Sequence, residues 1–145
     1  MNIDIKSFIV HDVAAFPIVW CRSDGMRPGF AIQWQFEMDE LLARAEPFVL
    51  IFEPHEHEEE AHEDRKQRGL WLKHHKHAMS AICLGVIATE PDALKRVVAK
   101  AQSILAAKAF GVAAEVAASR QEAEHIAQAL LRKQAAKIID HVSLA

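Results

Sequence analysis

The sequence FVLIFEPHEHEEEAHEDRKQRGLWLKHHKHAM, residues 48–79, joins an uninterrupted apolar run to a long charged segment. Phe48 to Phe52 contains no polar residue, which is typical of a strand that helices cover on both faces, and such strands belong to parallel sheets. Ala81 to Ala88 has the same character. The residues between the two runs, about 56 to 79, are long enough to form a helical crossover. This arrangement predicts the centre of a parallel sheet.

The crossover helix is predicted to be amphipathic in its second half only. Trp71, Leu72 and Met79 give that half an apolar side, whereas the first half is dominated by charged residues. We therefore expect the first half of this helix to project into solvent.

The residues before Phe48 predict a hairpin and a helix. Ile3 to Val10 and Pro17 to Cys21 are apolar runs separated by HDVAAF, which indicates an antiparallel pair of strands. From Gly29 to Ala45 the apolar residues recur at helical spacing, which predicts the first helix.

Three further elements follow the second central strand. A helix begins after Glu90-Pro91 and is closed by Phe110-Gly111. Val112 to Ala117 predicts a last strand, and Ser119 then caps a final helix. The predicted inner faces are Leu94, Val97, Val98, Ala101, Ile104 and Leu105 for the first of these helices, and Ala123, Ile126, Ala127, Leu130 and Leu131 for the second.

The predicted order of elements is β-β-α-β-α-β-α-β-α. It corresponds to a single α/β domain over residues 1–145, with one mostly parallel sheet, an antiparallel hairpin at its N-terminal side and helices on both faces.

Composition and charge narrow the classes of partner. The chain has 145 residues and a net charge of −3, and its Lys and Arg residues are dispersed among carboxylates, so we expect no nucleic-acid partner. The first residues lack the basic start and apolar run of an export signal, and no apolar segment approaches the roughly 20 residues of a transmembrane helix. A cytoplasmic location is expected.

Four segments carry a family resemblance: PFVLIFE, GLWLKHHKHAMSAICLGVIAT, LKRVVAKAQSI and FGVAAEVAASRQEAEHIAQALL, with the spacing Trp71…Cys83-x-Gly85. Over about residues 47–131 the chain resembles a family of small bacterial proteins with a STAS-like, SpoIIAA-like fold, related in architecture to SEC14-type lipid-binding modules. The first 46 residues match only in the order of elements. The resemblance implies a fold and little chemistry.

One feature of the STAS family is missing. Anti-sigma-factor antagonists of this type carry a phosphorylatable Ser or Thr at the start of the helix after the central strand, where helix amides would receive the phosphate. This chain has Glu53-Pro54-His55-Glu56 there. No hydroxyl is present, so we do not expect a phosphorylation switch at this place.

The segment after the central strand is a candidate metal site. Imidazole and carboxylate groups one helical turn apart can chelate Zn²⁺, Ni²⁺ or Cu²⁺. Alternatively, the order of charge, seven acidic residues from Glu53 to Asp64 and then five basic ones from Arg65 to Lys76, stabilises a solvated helix through its dipole without any metal. The candidate ligands are His55, His57, Glu58, Glu59 and His62.

A second cluster combines Trp71 with His74, His75 and His77. It is a candidate contact for a ligand or a partner. Cationic side chains close to a helix C-terminus provide a structural alternative, because they interact favourably with the last carbonyl groups.

The aromatic residues allow a cavity for a small hydrophobic ligand, although residues at such spacing also form cores. They are Trp20, Phe30, Trp34, Phe36 and Trp71.

No catalytic motif is complete. The chain has no Gly-x-Ser-x-Gly elbow and no glycine-rich phosphate loop, and Cys21 and Cys83 lie in apolar runs where we expect inert, buried thiols. His11 is predicted to lie in a turn, without an identifiable partner.

The favoured function is therefore a non-catalytic binding or regulatory module. We expect it to contact a protein partner or a second copy through the crossover helix or the adjoining sheet edge, and to need no cofactor. A protein that binds metal or a small hydrophobic ligand is the alternative, and an enzyme of unknown class is the third.

Overall fold

A computed structural model describes residues 7–22, 26–53 and 61–143, with the backbone alone for 141–143. Within these ranges the chain forms five strands and five helices: β1 (His11–Asp12), β2 (Ile18–Cys21), α1 (Ala31–Ala43), β3 (Phe48–Phe52), α2 (His62–His74), α3 (Lys76–Ile82), β4 (Cys83–Thr89), α4 (Ala93–Phe110), β5 (Ala114–Ala117) and α5 (Arg120–Ser143).

The strands form one sheet in the order β1-β2-β3-β4-β5. β1 pairs antiparallel with β2, and all other neighbours are parallel. Successive parallel strands are neighbours, so crossovers of one hand place α1 to α4 on a single face of the sheet, while α5 covers the other. The predicted α/β fold is confirmed, including the hairpin and the helices on both faces.

The central strand is β3, as its uninterrupted apolar sequence predicted. Phe48 and Leu50 belong to the core beneath α1, α2 and α3, whereas Val49 and Ile51 belong to the core beneath α5. All four side chains are buried. Helices on both faces thus explain why no polar residue interrupts this strand.

The N-terminal strand differs from its prediction. Residues 1–6 lie outside the described residues, and β1 comprises only His11 and Asp12, within the segment predicted to connect the strands. Ile9 and Val10 are not in a strand, and their backbone N–H groups donate to the Glu37 carboxylate. A side-chain acceptor thus satisfies these N–H groups.

The predicted crossover helix is divided in the structure. α2 ends at His74 and α3 begins at Lys76, and His75 between them has φ −107° and ψ 17°. The charged N-terminal part of α2 does not project into solvent throughout, because Asp64 is buried and accepts hydrogen bonds from the N–H groups of Gly29 and Ala31 at 2.8 and 3.1 Å. These bonds fix α2 against the start of α1.

The largest correction concerns α4. Its predicted inner stripe faces outward, with Leu94 77%, Val97 65% and Leu105 69% exposed. The connections at its two ends, residues 90–92 and 111–113, are short, and both ends of the helix are capped. Asp92 accepts from the Lys95 N–H at the start, and Gly111 closes the end in the left-handed conformation at φ 72°.

α5 begins as predicted, with Ser119 as its cap. Ser119 accepts from the Glu122 N–H, and the Glu122 carboxylate accepts from the Ala118 N–H. Ala123 and Ala127 are fully buried against the sheet, while the last turns, including Ile138 and Ile139, are exposed. Among the described residues, no helix is both long enough and apolar enough to span a membrane.

Candidate functional site

A cavity of about 460 Å³ lies between α4 and the sheet. Residues at the carboxyl ends of three parallel strands contribute to its wall: Phe52 from β3, Thr89 from β4 and Val116 from β5. In open α/β sheets, the carboxyl ends of the strands are the usual place for a ligand.

Small side chains produce the cavity. α4 contributes Ala99, Ser103 and Ala107 to the lining, and β4 contributes Val86 and Ala88. Because these side chains do not fill the space between helix and strands, a half-open, mainly apolar chamber remains. Its lining also includes Leu72, Met79, Phe110 and Val112.

A few polar groups occur in this apolar wall. Arg68 of α2 contributes to the lining, and its guanidinium lies over the rings of Trp34 and Phe30 at 5.0 and 5.7 Å. Glu90 and Glu115 lie in the wall with Thr89. Such a site can enclose an apolar body and orient a polar end.

The aromatic residues predicted to form a cavity lie mainly in the core instead. Trp34 and Trp71 are buried and meet edge to face with ring centroids 5.2 Å apart, and Trp71 Nε1 donates to Asp39 at 3.0 Å. Phe36 is exposed, and the ring of Trp20 lies under Arg120 at 4.1 Å. Other residues line the chamber, because most of these aromatic side chains are packed in the core.

The predicted Trp71 and histidine cluster is brought together only in part. His75 stacks on Trp71 with ring centroids 4.1 Å apart, and its Nδ1 lies 2.8 Å from the Trp71 carbonyl oxygen. His75 Nε2 also lies 3.8 Å from Asp39. His74 and His77 are exposed. His75 thus packs at the break between α2 and α3.

The predicted metal ligands His55, His57, Glu58 and Glu59 lie outside the described residues. His62 is exposed at the start of α2. Within the ranges that the structure describes, no three residues of metal-binding type are grouped. A metal site around residue 57 remains a prediction.

A buried pair of ionisable groups lies on the same face of the sheet, between β1 and α1. His11 Nδ1 is 2.9 Å from Glu37 Oε1, and both side chains are almost fully buried. The Glu37 carboxylate also accepts from the backbone N–H groups of Ile9, Val10 and His11 and from the Gln33 amide. Five donors around one carboxylate stabilise its charge.

The pKa values of the pair shift apart. Burial alone would lower the pKa of His11, but the neighbouring Cys21 and Glu37 outweigh it and raise the pKa from 6.5 to about 9. Burial alone would raise the pKa of Glu37, but hydrogen bonds from His11 and the backbone lower it from 4.5 to about 2. At neutral pH the pair is therefore an imidazolium and a carboxylate.

Cys21 completes this group, and sequence reasoning missed it. His11 and Cys21 are opposite each other in the β1–β2 ladder, and Cys21 is partly exposed. The expectations that His11 lies in a turn and has no identifiable partner were wrong. The missing information was the register of the hairpin, since pairing around Phe16 places residues 11 and 21 together. Cys83 is buried, which raises its pKa to about 12 and agrees with the predicted inert thiol.

Comparisons with protein-family models, with curated proteins and with solved structures find no match.

Proposed function

We propose that this protein is a non-catalytic binding domain that takes a small, mainly apolar ligand in the chamber between α4 and the sheet. The observation that carries the proposal is the chamber itself, about 460 Å³ in volume, at the carboxyl ends of β3, β4 and β5. Ligand pockets in proteins typically have roughly 300–1,000 Å³. The predicted resemblance to the STAS-like family, with its relation to lipid-binding modules, is part of the same proposal.

The wall favours an acyl chain or a body of similar shape. Its apolar residues come from strands and helices on opposite sides, so that an elongated apolar group would lose most of its contact with water. Arg68 at the α2 side is suited to an anionic end group, whereas Glu90 and Glu115 disfavour a second negative charge. A medium-chain fatty acid is a suitable probe.

A substitution that fills the chamber tests this function. Ser103→Phe adds an aromatic ring from α4 into the space, and Ala109→Phe adds the same ring on the same helix outside the lining. We expect dodecanoate to raise the melting temperature of the wild type and of Ala109→Phe, since a ligand that binds only the folded state stabilises it. Ser103→Phe should abolish this rise.

Native mass spectrometry supplies the second measurement. Purified wild-type protein should retain dodecanoate at one equivalent, and Ser103→Phe should retain none. An equal response of both phenylalanine variants, or no binding of fatty acid by the wild type, would exclude the chamber as an acyl site.

A second candidate function is self-association through the outer face of α4. Leu94, Val97, Val98, Ile104 and Leu105 are all more than half exposed, and they lie on one side of the helix around Ala101. Together these side chains expose on the order of 500 Å² of apolar surface, which is at the upper end for a patch on a monomer.

The stripe is suited to a second copy of the same chain. An antiparallel twofold pair centred on the small residue Ala101 would pack Val97 against Leu105 of the partner subunit, and the reverse contact follows by symmetry. Such a pair would bury on the order of 1,000 Å² in total, near the lower limit for a specific interface. The proposed contact is thus on α4 and not on the crossover helix expected from the sequence.

Sedimentation velocity tests whether the protein self-associates through α4. We expect the wild type to sediment as a dimer and Leu105→Asp as a monomer, because the introduced charge would be desolvated at the contact. Gln128→Asp adds the same charge to the exposed side of α5 and should leave the dimer intact. A wild-type monomer at all concentrations would exclude the contact.

A further inference from the structure

The thiol of Cys21, the imidazole of His11 and the carboxylate of Glu37 lie one beside the next in space, on the α1 side of the sheet. Cys21 is opposite His11 in the β1–β2 ladder, and His11 Nδ1 is bonded to Glu37 at 2.9 Å. This order, a nucleophile beside a base that a third group orients, is the arrangement that activates cysteine nucleophiles in proteins. It belongs to neither the chamber nor the outer stripe of α4.

The imidazole has one nitrogen still available. Glu37 occupies Nδ1, whereas no described protein group completes a hydrogen bond with Nε2, although His11 is fully buried. A buried polar atom without a partner is unfavourable and is rarely retained in a protein core. Cys21, opposite His11 in the ladder, is the neighbouring side chain that interacts with the imidazole.

We propose that Cys21 is a reactive thiol, with His11 as its acid–base partner and Glu37 as the positioning residue, and that the site reacts with small hydroperoxides. One feature selects this substrate class, because complete burial of His11 excludes a bulky substrate from Nε2.

The proposed step requires one thiolate and one proton donor. The Cys21 thiolate attacks an oxygen of hydrogen peroxide, a sulfur–oxygen bond forms, and the oxygen–oxygen bond breaks. The departing hydroxide takes the proton from Nε2 of the His11 imidazolium. Cysteine is oxidised to sulfenic acid, peroxide is reduced to water, and His11 is left neutral.

Among the described residues, the following charged groups lie near the site. Glu37 is the carboxylate on α1 that faces His11, and Arg68 of α2 lies beyond Trp34, whose ring centroid is 6.3 Å from that of His11. On the β3 side the ladder neighbour of Cys21 is Phe52, which carries no charge. The buried Cys83 thiol also interacts electrostatically with Cys21.

The pH profile of alkylation tests the proposal on the wild-type chain. For an ordinary thiol, the rate with iodoacetamide increases about 75-fold between pH 6 and 8, because the thiolate fraction grows toward a pKa of about 8.5. For Cys21 beside an imidazolium we expect a change of less than about threefold over this range. Cys83 is an internal control and should remain unmodified in the folded protein.

The oxidation itself is tested with hydrogen peroxide followed by dimedone, which traps sulfenic acid, and mass spectrometry of the peptides. We expect the adduct on Cys21 and not on Cys83. His11→Asn should slow alkylation at pH 6 by more than tenfold and restore the ordinary pH profile, whereas His75→Asn should leave both unchanged.

If His11→Asn does not fold, the pH dependence of alkylation in the wild type still tests the proposal. An ordinary, steep pH dependence at Cys21 would overturn the proposal, as would resistance of Cys21 to both reagents in the folded protein. Since neither result involves fatty-acid binding, this test is independent of the chamber.

Discussion

At the scale of single residues, the buried pair His11 and Glu37 makes stability depend on pH. The folded-state pKa of His11 is about 9, above its ordinary value, so its contribution is complete below pH 6.5 and disappears as the pH rises through 9. The folded-state pKa of Glu37 is about 2, below its ordinary value, so its contribution is present above pH 4.5 and disappears as the pH falls through 2. Both contributions are complete only between about pH 4.5 and 6.5.

We therefore predict that the free energy of unfolding decreases by on the order of 3 kcal/mol between pH 6 and 10. Urea unfolding at a series of pH values measures this change. Glu37→Gln removes one of the two groups, Glu37 and Cys21, that raise the pKa of His11, so its stability should depend less on pH over the same range. A wild-type stability that stays constant from pH 6 to 10 would contradict the assignment of charges.

The same residues show what could not be predicted from the sequence. His11 and Glu37 are 26 positions apart and obey no local spacing, and Asp64 was assigned to solvent because its neighbours are charged. Their burial depends on backbone N–H groups of other segments that need acceptors. Only the tertiary structure reveals which donors those are.

At the scale of elements, the strand Phe48–Phe52 was predictable, because a run without polar residues indicates a strand that is buried on both faces. The orientation of α4 was not predictable, since its apolar stripe indicated a buried side whereas that stripe is exposed in the structure. Helical periodicity identifies an apolar side but does not say whether the same domain or another molecule covers it. The chamber follows from this reversal and has no signature in the sequence.

The strand assignment predicts opposite outcomes at neighbouring positions. Leu50→Asp places an unpaired charge in the core and should cost several kcal/mol, comparable with the whole stability of a domain. Phe52→Asp introduces the same charge in the same strand at a residue that is 38% exposed, and should be tolerated much better. Circular dichroism and thermal melting compare the two, and equal effects would mean that burial along β3 is not as described.

At the scale of the whole molecule, the arrangement of sheet and helices was predictable from the sequence, whereas the sites were not. Alternating strands and helices of suitable length allow few topologies, so their order determines the parallel sheet. The chamber combines residues from α2, three strands and α4, and the thiol site combines β1, β2 and α1. Each site therefore depends on the complete fold.

The central claim, that an apolar ligand binds between α4 and the sheet, is tested most directly by methyl NMR during titration with dodecanoate. We predict saturable shifts of the Leu72, Met79 and Val86 methyl signals, which line the chamber, and none at Ile139 on the exposed end of α5. Shifts confined to Val97 and Leu105 on the outer face of α4, or no shifts at all, would contradict the claim.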